Sequence, residues 1–215
     1  MTQSISPWTA SGMKDNNAQY EQRVRTFLEN IVNDKPQHAL FLNMLAMLEH
    51  MGSRKIMVSQ MNKVITQETL SHLAEEARHA YFFKRNAERV AGRDLDGWTD
   101  ENTMCRIPSA MYFGRLDAGI SKQVSDDDAY GWVSLIIELR ACWLYAIYQD
   151  VLEASSDHMS LKSLLAEEDK HLAEMFEMCG ENYDLLKSLS AYETTLFVKL
   201  WDALEKEVSP LSQAA

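Results

Sequence analysis

Four glutamates and two histidines stand on the apolar faces of otherwise regular helical segments, and this constrains the chain more than any other feature. Glu76-Ala77-Arg78-His79 and Glu168-Asp169-Lys170-His171 repeat one spacing, a histidine three residues after a glutamate. Residues three apart on a helix project from the same side, so each pair can present a carboxylate and an imidazole to one point. Glu76 and His79 share their stripe with Leu73, Ala80 and Phe83. Glu168 and His171 share theirs with Leu161, Leu164, Leu165, Leu172 and Met175. Glu49 closes the run Phe-Leu-Asn-Met-Leu-Ala-Met-Leu-Glu from 41, and Glu138 follows Val-Ser-Leu-Ile-Ile at 133–137. A charge on the apolar side of a helix is costly unless something of opposite charge meets it.

The six residues fall into two like-ordered halves. A lone glutamate comes first, and a Glu-x-x-His pair follows in the next helix, 27 residues on from Glu49 and 30 on from Glu138. A longer crossover joins the halves. Arg78, Arg140 and Lys170 are the nearest cations in sequence, but helical geometry turns them onto other faces. Four carboxylates offset the charge of two divalent cations and leave a near-neutral site that apolar helices can bury. Carboxylates with imidazoles suit iron or manganese, and the lack of thiolate ligands argues against structural zinc.

The rest of the chain reads as helix and connection. Residues 1–19 are polar and aperiodic and are expected to form a tail. An amphipathic helix is expected from Tyr20 to Val32, then one from about Pro36 to Met61 in which Gly52-Ser53 introduces a bend. Thr66 should cap a helix that continues through Ala91 and ends at Gly92. The stretch from Arg93 to Pro108 loses periodicity and reads as a long connection. A crossover helix follows over about 109–124. Ser125-Asp126-Asp127-Asp128 opens the next helix, which reaches Ala154, and Ser155-Ser156-Asp157 opens another that ends at Gly180. A last helix covers about 183–208, closed by Pro210. No segment alternates as a strand would. The expected fold class is all-α, with one helical domain over 20–210 and a metal-binding core over about 36–180.

Composition agrees. Eight Gly and four Pro in 215 residues are few for a sheet-rich fold, and 46% hydrophobic residues suffice for one well-buried domain. A net charge of −11 repels nucleic-acid phosphates and anionic lipid, so neither is an expected partner. Cys105, Cys142 and Cys179 form no C-x-x-C pair, which argues against a disulfide framework and against a rubredoxin-type or zinc-ribbon module. With no basic-then-apolar leader and no run of eighteen apolar residues, the expected location is the cytoplasm.

The arrangement of Glu49, Glu76, His79, Glu138, Glu168 and His171 is similar to that of the di-iron carboxylate proteins of the ferritin-like class, in which two helices give one Glu each and two give Glu-x-x-His. The resemblance covers roughly Pro36 to Gly180. It implies a ferritin-like four-helix bundle with additional flanking helices and two bound iron ions, or a manganese-iron pair, since both use the same ligands. Glu49 and Glu138 would be terminal carboxylates, Glu76 and Glu168 would bridge, and His79 and His171 would cap. Ser134–Glu138 and Glu167–Leu172 also resemble the corresponding helices of the aldehyde-deformylating oxygenases. The implied activity is an oxidase or oxygenase that turns O2 on a small, mainly apolar organic substrate, fed by an electron-donor protein or other reductant; a homodimer is compatible with this. A ferroxidase, iron-storage or peroxide-reducing protein is the alternative, and a non-catalytic scaffold subunit of a larger oxygenase is another. Tyr145, two turns beyond Glu138, is a candidate catalytic residue near the site. His72, one turn before Glu76, is a candidate outer-shell residue.

Overall fold

In the computed structural model, which describes residues 5–208, the described residues are helical throughout, apart from connections, and include no strand. The helices are α1 (Pro7–Ser11), α2 (Met13–Val32), α3 (Lys35–Gln60), α4 (Gln67–Ala91), α5 (Arg106–Ser121), α6 (Ala129–Ala154), α7 (Lys162–Cys179) and α8 (Tyr183–Val208). The all-α expectation therefore holds. Pro210 lies outside the described residues.

The described residues form two compact units: unit 1 comprises residues up to Thr26 and Gly114–Lys199, and unit 2 comprises Phe27–Phe113 and the residues from Leu200 on. Each contains one of the two helix pairs: α3 packs on α4 in unit 2, and α6 packs on α7 in unit 1.

In unit 2, α4 begins and ends where its chemistry dictates. The Thr66 hydroxyl accepts a hydrogen bond from the Thr69 amide at 3.2 Å, and Gly92 closes the helix at φ +66°, a conformation that costs glycine nothing. Asp34 caps α3 in the same way through the Gln37 amide. The aperiodic connection after α4 is held by polar contacts. The buried Asn43 amide donates to the Asn102 carbonyl at 2.7 Å and to the Gly97 carbonyl at 3.3 Å. Lys84 spans Asn43 Oδ1 and the Leu95 carbonyl. Phe27 stands edge-on to Phe41 and Trp201, which fills the apolar core of this unit.

In unit 1, α6 is buried over most of its surface. It is long and apolar enough to cross a membrane, yet 78% of its most apolar window is buried inside the protein, as in a core helix.

Three boundaries depart from expectation. Residues 7–19 are helical rather than tail: Met13 and Asn17 are fully buried, and the Asn17 amide donates to Thr194 at 3.1 Å. Helix α7 starts at Lys162, not at Ser155, because the Leu161 amide is taken by Gln149 Oε1, a partner twelve residues away. Helix α3 passes unbroken through Gly52-Ser53, so the expected bend does not interrupt the helix.

Candidate metal centre

In unit 2 the lone glutamate and the Glu-x-x-His pair converge. Glu49 projects from α3, Glu76 and His79 from α4, and the ligand atoms of the three lie within 4.8 Å of one another. All three are buried. The approach of α4 to α3 depends on Gly52, three residues after Glu49. A Cβ built there would lie 3.0 Å from Glu76 Oε2, tighter than a side-chain contact normally settles. Gly52 thus supplies space for a carboxylate, where the sequence suggested a hinge. On the other side of the same carboxylate, His72 Nε2 stands 3.3 Å from Oε1. His72 is only 3% exposed.

In unit 1 the corresponding residues meet in their turn. His171 Nδ1 lies 3.5 Å from Glu168 Oε2 on its own helix, α7. It lies 3.8 Å from Glu138 Oε1 on α6. None of the six residues is more than 8% exposed. Each unit therefore buries two carboxylates and an imidazole with their donor atoms turned toward one another.

The cations close in sequence are engaged elsewhere. Arg140 is buried, and its guanidinium grips Glu193 through Nε to Oε1 at 2.8 Å and Nη2 to Oε2 at 2.6 Å. It also donates to Asn17 Oδ1 at 2.9 Å and lies 3.8 Å from the centre of the Phe197 ring. Lys170 pairs with Glu174 at 3.5 Å, and Arg78 lies 4.0 Å from Glu75. Helical spacing had placed all three off the ligand faces. Glu193, the fully buried partner of Arg140, carried no signal in the sequence, because its environment depends on the packing of α8 on α6.

The donor set fits a pair of divalent cations of iron or manganese type. It is rich in carboxylate oxygen, carries imidazole, and has no thiolate. Cys142, one turn after Glu138, does not alter this. Burial pushes its thiol up, with the negative charges of Glu168 and Asp169 adding to the effect, so it is a neutral thiol at neutral pH.

Tyr145 is buried in α6, seven residues after Glu138. The two residues lie two turns apart on the same face of the helix.

No protein-family model, curated protein or solved structure matches the chain.

Proposed function

We propose that this protein is an oxidoreductase in which Glu49, Glu76 and His79, with Glu138, Glu168 and His171, hold two iron ions and direct O2 at a small, mainly apolar organic substrate. The observation that carries this reading is the duplicated, buried set of two carboxylates and one imidazole, assembled each time from a lone glutamate and a Glu-x-x-His helix. A single set of this kind could be a satisfied core network. Two built on the same plan, each with an excess of negative charge, are better explained by cations.

The reading goes with a ferritin-like four-helix arrangement in which α3, α4, α6 and α7 are the ligand helices. Glu49, Glu76, Glu138 and Glu168 would supply carboxylate oxygens to the ions, and His79 and His171 would ligate as neutral imidazoles. When bound, an iron pair supplies O2 with the electrons that amino-acid side chains cannot. The protein's own part is to fix the number and position of donor atoms and to keep water away. Leu42 and Leu45 on α3, and Leu135, Ile136 and Leu139 on α6, are buried, and this apolar character of the two helices favours an organic substrate over free iron, which needs a polar route of entry.

The reading is tested by loading the protein anaerobically with ferrous iron and then admitting air. Uptake of O2 with growth of a near-ultraviolet oxo-bridged iron absorption is expected. Iron that stays bound without consuming O2 would leave a scaffold role and remove the oxidoreductase.

A further inference from the structure

The two halves of the ligand pattern are not equivalent, and the difference lies at one position. Four residues before Glu76 stands His72; four residues before Glu168 stands Leu164. Both are buried. His72, Glu76 and His79 occur at i, i+4 and i+7 on α4, which places all three on one face of the helix over two turns. In α7 the same stripe carries leucine, glutamate and histidine.

On this basis, and resting on the metal reading above, we infer that His72 is a seventh metal-binding residue, which shares an ion with Glu76. Its ring nitrogen Nε2 faces Glu76 Oε1 at 3.3 Å. That separation is short enough for the two atoms to share a cation, and His72 and Glu76 belong to a buried set whose donor atoms lie within 4.8 Å of one another. Leu164 shows that a purely apolar side chain fills the matching position of α7.

The consequence is an asymmetric pair. Three imidazoles are then shared between two ions, so that one ion takes two and the other takes one. The nitrogen-richer position binds first and prefers metals later in the Irving–Williams order.

Anaerobic titration with Co2+ alone, followed by visible absorption and X-ray absorption, tests this without reference to turnover. The parent protein is expected to take up two ions in two resolvable steps, with three imidazole ligands per pair. In His72→Leu, which copies the other half, the tighter step should weaken by about tenfold or more while the other stays within about twofold. One imidazole should also be lost from the count. Two steps unchanged in His72→Leu, or two imidazoles per pair in the parent protein, would overturn the assignment. The imidazole count is made on the unaltered chain, so it decides the matter even if the variant does not fold. Failure of the parent to bind Co2+ at all would overturn the metal reading itself, and His72's part with it.

Discussion

At the scale of single residues, the position of one carboxylate depends on an atom that is missing. Gly52 sits in the middle of a 26-residue helix, where alanine would ordinarily stabilise by about 1 kcal/mol. A methyl group there would press on Glu76 Oε2, and Glu76 is one of the residues proposed to bind metal. Gly52→Ala should therefore leave the metal-free protein as stable as before or slightly more so, yet weaken metal binding by about tenfold, the range seen when ligand orientation is lost. Paired thermal melts and metal titrations would check it. Equal loss of stability and affinity would mean that the glycine serves only packing. Of these residues the sequence singled out the six candidate ligands, because their spacing and apolar surroundings are local. It did not reveal the use of Gly52 or the full burial of His72, since both are set by how closely α3 and α4 approach.

At the scale of elements, local signals placed helix ends well where a residue of the same segment makes the cap. Thr66, Gly92 and Gly180 stand where expected. They failed where the partner is distant. Ser155-Ser156-Asp157 has the composition of a helix start, but Gln149 on α6 takes the Leu161 amide and delays α7. The polar residues before Tyr20 fold as helix because Asn17 is drawn into the network of Arg140, Glu193 and Thr194. That network ties α6 to α8 inside unit 1, and its ion pair is bidentate and almost wholly buried. Removing one partner of such a pair leaves a buried charge without its counterion, which costs about 3–5 kcal/mol. Arg140→Met should show a loss of that size in urea denaturation. The double variant Arg140→Met, Glu193→Met should recover most of it, because two apolar side chains leave no charge behind. No recovery would assign the loss to shape rather than charge.

At the scale of the whole molecule, an all-α chain could be read from the near absence of strand alternation and the scarcity of glycine and proline. No composition break marks residues 26, 113 or 199, where the two compact units meet along the chain. What gives the chain a single purpose on this account is that each unit contributes two carboxylates and at least one imidazole, and each contribution leaves excess negative charge to be neutralised. The most direct measurement is iron per chain in the anaerobically loaded protein, compared with Glu76→Ala in one unit and His171→Ala in the other. The account predicts about two irons per chain in the parent and a marked fall in both variants, each of which keeps its helical circular dichroism. Iron at background in the parent, with helicity intact in all three proteins, would contradict it and leave the six residues as a buried polar network.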